Sequence, residues 1–341
     1  MIIRSKAPLR LGLAGGGTDV SPFSDLFGGA ILNASINCYA HATIVPRDDD
    51  KIIIRLEDQN VVLEFDASPQ LPTDGKGALQ KAVYNCMVRD FGMKPCGLEL
   101  STHIDAPPGS GLGTSSTLTV AVVGAFAEWL KLPLGEYDIA HLAYKIERVD
   151  LQMAGGKQDQ YAATFGGFNF MEFFADDKVI INPLRIQAKY VDELANSLVL
   201  FYTQTSHDSS EIIKQQQKNV ASKNEKSIEA MHLIKTQATS MKEALLKGNL
   251  NEIGNILNEG WDYKKRMADN ISTDLFEQIY KTALSAGASG GKISGAGGGG
   301  YIFFYCPENS RYRVIEALKK HQCEVHPFQF TKHGLCTWTI R

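Results

Sequence analysis

The chain has no paired-cysteine motif. Its six cysteines (Cys38, Cys86, Cys96, Cys306, Cys323 and Cys336) are scattered without a CxxC, which excludes a zinc ribbon and a disulfide framework and leaves reduced thiols as the expectation. It has no excess of positive charge: 35 Lys and Arg stand against 38 Asp and Glu, a formal net charge of −3, where a nucleic-acid binder would be basic. No apolar run reaches the roughly 18 residues a spanning helix needs, and the N-terminal MIIRSKAPLR lacks the apolar segment of a signal peptide. Together these absences predict a soluble, cytoplasmic protein without nucleic-acid or membrane partners. The GxxxxGK[ST] phosphate loop is missing too.

What is present is an ordinary globular composition, 44% hydrophobic and 21% charged over 341 residues, enough for about two domains of roughly 100–200 residues. The first half reads as mixed α/β. β-Branched runs over 41–65 broken at Asp48–Asp50 predict antiparallel strands, followed by a helix over 77–91 and a strand over 96–104. A mostly apolar helix over 114–130, a second over 136–151 and a strand pair near GGFNFMEFF complete this half. A strand over 197–206 opens the second half. In the polar region 210–268, Ile228, Met231, Ile234, Ala238, Met241 and Leu245 recur at three- and four-residue steps, the mark of an amphipathic helix; that stripe could cover a core or serve a homodimer. Helices over 273–286 and 310–321 and strands near 325–330 and 335–340 finish the chain. The change of character predicts a boundary near residue 190, dividing the chain into 1–190 and 191–341.

Four stretches carry chemistry. In PPGSGLGTSST (107–117) the glycines at 109, 111 and 113 alternate, a spacing unlike the GxGxxG of a dinucleotide fold. Glycines let backbone amides turn inward, and the following helix offers unpaired N–H groups to a phosphate. Thr114, Ser115 and Ser116 add hydroxyls that could ligate magnesium; a plain glycine turn with a hydroxyl cap fits the same residues. In APLRLGLAGGGTDVSPF (7–23), Gly15, Gly16 and Gly17 lead into Thr18 and Asp19, where backbone can approach a ligand closely and Asp19 can accept hydroxyl protons. Arg10, on the preceding strand, can offer a fixed positive charge to a transferring phosphoryl group. In KISGAGGGGYIFF (292–304), five of the six residues from 295 to 300 are glycine, more freedom than a turn before a buried strand needs. Finally, Glu147 and Asp159 are candidate metal-binding and proton-accepting carboxylates, though acids at helix ends are usually just solvated.

Taken together and in this order, these stretches resemble the GHMP kinases, the family of galactokinase, homoserine kinase, mevalonate kinase and phosphomevalonate kinase. The resemblance spans essentially the whole chain. It implies an α+β, two-domain fold: an N-terminal α/β domain with a left-handed βαβ crossover, a ferredoxin-like C-terminal domain and an active site between them. It also implies ATP and Mg²⁺. Pro108, Gly109, Ser110, Gly111, Leu112, Gly113, Thr114, Ser115 and Ser116 would form the nucleotide cradle, Ser115 and Glu147 would hold magnesium, and Asp159 and Arg10 would be catalytic. Gly16, Gly17, Thr18, Asp19, Lys157, Gly295, Ala296, Gly297 and Gly298 would bind substrate. Galactokinase-type members read GEHTDY where this chain reads GGGTDV, so galactose is not the expected acceptor. The runs PLRLGLAGGGTDVSPFSDLFGGAILNASI and GKQDQYAATFGGFNF look most like the branch that phosphorylates the anomeric hydroxyl of D-glycero-D-manno-heptose 7-phosphate. Such an acceptor requires a cation for its distal phosphate: Lys157 is the first candidate, with Arg47, Arg185 and Lys292 behind it. A fucokinase-like sugar 1-kinase and a catalytically silent nucleotide-binding protein are the rival readings.

Overall fold

The structure is a computed structural model that describes residues 1–204 and 209–341. Its first sheet is built on two long strands, β1 (Ile2–Ala14) and β2 (Gly29–Pro46), paired antiparallel, with the short helix α1 (Phe23–Phe27) between them. The first eight residues of β2 are all buried and the rest alternate. The first half is therefore covered on both faces, and the second half shows one face to solvent. β3 (Lys51–Leu56) and β4 (Val61–Asp66) form a hairpin, and helix α2 (Ala78–Phe91) carries the chain to β5 (Leu98–Ile104), which runs parallel to β3.

Helix α3 (Thr114–Leu130) lies against β1 and β2, with Thr114 and every residue from Ser116 to Ala127 buried, which accounts for its nearly all-apolar sequence. Beside it stand α4 (Glu136–Lys145) and α5 (Gln158–Phe165), then the hairpin of β6 (Phe168–Phe173) and β7 (Val179–Pro183), with β6 paired to β2. Helix α6 (Ala188–Ser197) leads to the second sheet.

That sheet contains β8 (Leu198–Tyr202), β9 (Gly290–Ile293), β10 (Tyr301–Tyr305) and β11 (Glu324–Val325) in the spatial order β11-β8-β10-β9, all antiparallel. Helices α7 (Ser209–Ala221), α8 (Glu225–Lys247), α9 (Asn251–Lys264) and α10 (Asp274–Ser285) fill the first crossover and α11 (Arg311–Leu318) the second. This is the split β-α-β order of a ferredoxin-like unit. The strand expected over 197–206 is β8; positions 205 and 206 lie outside the described residues.

Two expectations are corrected. The last strand, β12 (Cys336–Ile340), returns to the first sheet and pairs with β1, Ile2 opposite Ile340, so residues 191–341 do not form a separate C-terminal unit. One core cluster also joins Leu198, Leu200, Phe303 and Tyr305 of the second sheet to β1, β2 and α8. The apolar stripe of α8 is not a dimer face: Met231, Ile234, Ala238, Met241 and Leu245 are buried within the chain, with Ile228 partly covered. Each such large side chain removed from water contributes about 1.5–3 kcal/mol. No helix among the described residues is long and apolar enough to cross a membrane.

Candidate active site

Between the two sheets lies a cleft of about 210 Å³ whose walls come from four loops. The first is the alternating-glycine loop. Gly109, Gly111 and Gly113 have φ of 71°, 81° and 79°, left-handed values that L side chains rarely adopt, and a Cβ at Gly111 would collide with the Ser294 carbonyl. The loop ends at the first turn of α3, whose unpaired amides and positive dipole end face the cleft beside Thr114, Ser115 and Ser116. Pro108, Ser110 and Leu112 are not in the lining. Pro108 is exposed, whereas Ser110 and Leu112 are buried and anchor the loop: the Ser110 carbonyl accepts from Tyr301 N–H at 3.0 Å and the Leu112 carbonyl from Arg10 N–H at 3.2 Å. The irregularity in β1 between Pro8 and Arg10 frees that amide from the strand ladder.

Arg10 joins three elements. Its Nε and Nη2 each lie 2.7 Å from Asp159 Oδ1, and Nη1 donates to the Gly111 carbonyl at 2.7 Å. Asp159 sits in the first turn of α5, with Gly113 so close that a Cβ there would lie 3.0 Å from its Cγ. Arg10 occupies one carboxylate oxygen and leaves Oδ2 for a ligand. Beside it, Asp19 Oδ2 accepts the backbone N–H groups of Lys157 and Gln158 at 2.8 and 2.9 Å, while the buried Oδ1 has no partner among the described residues. Burial pushes the Asp19 carboxyl above its usual range against the pull of those amides, and the nearby Asp159 adds to the rise. Thr18 is structural: its hydroxyl donates to Gly15 and Ala30 carbonyls, holding the turn that presents Gly16, Gly17 and Asp19.

Glu147 is fully buried. Its Oε1 accepts from Ser115 Oγ at 2.7 Å and its Oε2 from Gln160 Nε2. It lies in a widened turn, Ile146–Asp150, in which Leu151 N–H reaches the Ile146 carbonyl at 3.0 Å, the π-type expansion that often marks functional sites. The same turn brings Arg148 to the cleft wall, 3.8 Å from Glu147 Oε2. Among the described residues no three His, Cys, Asp or Glu side chains could hold a metal by themselves. A Ser hydroxyl and one carboxylate beside an anion cradle instead fit magnesium, which keeps few protein ligands and takes others from phosphate.

Lys157 does not face the cleft as expected. Its ammonium is buried against Asp177 at 2.7 Å and Asp25 at 3.8 Å, and only its backbone serves the site, through Asp19. Arg47, paired with Asp49, and the exposed Arg185 lie outside the lining. Gly295 and Ala296 line the cleft, but Gly297 and Gly298 pack on Ile271 instead, Gly298 N–H donating to its carbonyl at 3.0 Å. The cations that sequence reasoning missed are Arg148 and Lys264. Lys264, the last residue of α9, is buried and donates from Nζ to the Gly295 carbonyl. Burial, reinforced by the Arg10 charge, brings its pKa down to about 8. Helical phase was the available signal, since Ile253, Leu257, Trp261 and Lys264 follow one buried stripe of α9.

An anion cradle at a helix start, a hydroxyl–carboxylate pair beside it and an arginine-braced aspartate opposite define a small-molecule kinase. Residues 78–167 match the GHMP kinases N terminal domain and residues 241–323 the GHMP kinases C terminal domain. The chain is 49% identical over 338 residues to the D-glycero-alpha-D-manno-heptose 7-phosphate kinase of Campylobacter jejuni subsp. jejuni, covering 99% of each. It is similar to the crystal structure of a D-glycero-D-manno-heptose 1-phosphate kinase from Bacteroides thetaiotaomicron, at 46% identity, a TM-score of 0.84 and 99% of both chains. A Lactococcus lactis galactokinase complexed with galactose, 19% identical with a TM-score of 0.77 over 98% of this chain and 95% of that one, shares the fold. The chain belongs to the GHMP kinases.

Proposed function

We propose that the protein transfers the terminal phosphoryl group of ATP to the anomeric hydroxyl of D-glycero-D-manno-heptose 7-phosphate, giving heptose 1,7-bisphosphate and ADP. The observation that carries this is the convergence in one cleft of the Gly109–Ser115 cradle with Asp159 Oδ2 and Asp19 Oδ1, neither of which has a hydrogen-bond partner among the described residues. Asp159 accepts the proton of the attacking hydroxyl as the new O–P bond forms and the bond to the ADP oxygen breaks. The anomeric hydroxyl is more acidic than an ordinary alcohol, so positioning and charge stabilisation supply most of the rate. Arg10 holds Asp159 and faces the charge gathering on the transferred group. Asp19 takes a hydrogen bond from another sugar hydroxyl, whose arrival satisfies a buried acceptor that is costly to leave open. Ser115 and Glu147 would hold magnesium, which would supply charge neutralisation during the transfer.

Two of the similar proteins are named for different acceptors, a heptose 7-phosphate and a heptose 1-phosphate. The acidity of a free anomeric hydroxyl favours the first. ADP release with a panel of heptose 7-phosphate, heptose 1-phosphate, fucose, galactose and mevalonate tests the reading. Turnover with heptose 7-phosphate alone supports it, and preference for any other member defeats it.

A further inference from the structure

Among the described residues, two lysines at and behind the cleft, Lys264 and Lys292, form no ion pair. Lys264 lines the main cleft and also a second cavity of about 20 Å³, which it shares with Lys292 and Gly16. Lys292 lies with Nζ 3.9 Å from the position a Cβ on Gly16 would take. Among the described residues, the Lys264 ammonium contacts only the Gly295 carbonyl, and the Lys292 ammonium makes no hydrogen bond or ion pair. Of the other buried lysines, Lys157 is neutralised by Asp177 and Asp25, and Lys81, away from the cleft, donates to the Asp74 carbonyl at 2.6 Å. An ammonium removed from water without a counter-charge costs several kcal/mol. In the cleft Arg10 is matched by Asp159 and Arg148 stands beside Glu147, Lys264 has only Asp19 as a nearby acid and Lys292 has Lys264 and Arg10 for neighbours, a cationic surplus that suits a dianion.

We infer that Lys264 and Lys292 form the subsite for the phosphate monoester carried by the acceptor sugar, Lys264 touching it and Lys292 acting from behind. This rests on the acceptor assignment above. The pair borders Gly15 and Gly16, the backbone that leads to Asp19 and hence to the sugar hydroxyls. The terminal phosphate of ATP, by contrast, already has Arg10 and the amides of the α3 start. The cavity beside Lys292 is large enough for about one water, so Lys292 contributes through a bridging water and Lys264 by direct contact.

The test compares kcat/KM for heptose 7-phosphate and for unphosphorylated heptose, alongside the affinity of a non-hydrolysable ATP analogue, in the wild type, Lys264→Met, Lys264→Arg and Lys292→Met. Loss of one charge-assisted contact lowers the preference for the phosphorylated sugar by roughly 10–100-fold in Lys264→Met. Lys292→Met loses less, Lys264→Arg recovers part of the preference, and analogue affinity stays within about threefold. Analogue binding also shows that each variant is folded. Unchanged preference in Lys264→Met, or a parallel loss of analogue affinity, overturns the subsite and returns the pair to the nucleotide. A wild type indifferent to the sugar's phosphate overturns the acceptor assignment and the subsite together.

Discussion

Replacing Asp159 by Asn removes one charge and almost no volume. Arg10, whose side chain is 4% exposed, directs two donors to Asp159 Oδ1. The amide oxygen of Asn can still accept both, so the fold loses only the charge assistance, about 1 kcal/mol. Turnover loses the proton acceptor, an effect on the order of 10²–10⁴-fold, or about 2.7–5.4 kcal/mol of barrier. The cradle glycines do not depend on the carboxylate for their conformation, so affinity for a non-hydrolysable ATP analogue should hold. The assay pairs coupled ADP release with calorimetric binding of the analogue and a thermal melt. A variant that turns over within threefold of wild type removes Asp159 from proton transfer, and one that loses analogue affinity as steeply as activity shows a nucleotide-binding role instead.

Ser115→Ala deletes the hydroxyl that meets Glu147 at 2.7 Å and should raise the magnesium concentration for half-maximal activity several-fold; a superimposable magnesium titration rules out Ser115 as a ligand. The depressed pKa of Lys264, about 8 with burial as its main cause, sets a pH dependence. Below that pH the protonated amine attracts the acceptor's phosphate; above it the charge is lost, and of the groups around it burial lowers Lys292 well below the lysine range and raises Asp19. KM for heptose 7-phosphate should therefore climb as pH rises through about 8, with the analogue affinity flat, and a KM constant to pH 9.5 contradicts the role. The same shift means that the ligand-free fold holds its proton less tightly than the unfolded chain does, so this residue's contribution to stability increases from pH 8 into the ordinary lysine range.

Much of the site was legible because its demands fall on residue type at short range. A left-handed φ at 109, 111 and 113 requires glycine, and a hydroxyl run at a helix start is visible as letters. The apolar stripe of α8 was legible for the same reason, but whether a second copy or the chain itself covers it is a tertiary fact. Long-range pairing hid the rest. Nothing in CTWTI announces that β12 will pair with Ile2–Lys6 rather than with the second sheet. Neighbouring lysines look alike in DYKKRM, yet Lys265 reaches solvent and pairs with Asp262 while Lys264 turns inward, a difference set by helical phase. Lys157 misled for the opposite reason: proximity in sequence to Asp159 did not bring its ammonium to the cleft, because Asp177 arrives from the β6–β7 hairpin to claim it.

The most direct measurement of the account is phosphorus NMR of the product formed from ATP and heptose 7-phosphate. Two sugar-phosphate resonances, the new one coupled to the anomeric proton, are the predicted result. A new phosphate coupled to any other ring proton, or release of inorganic phosphate with the sugar unchanged, contradicts it.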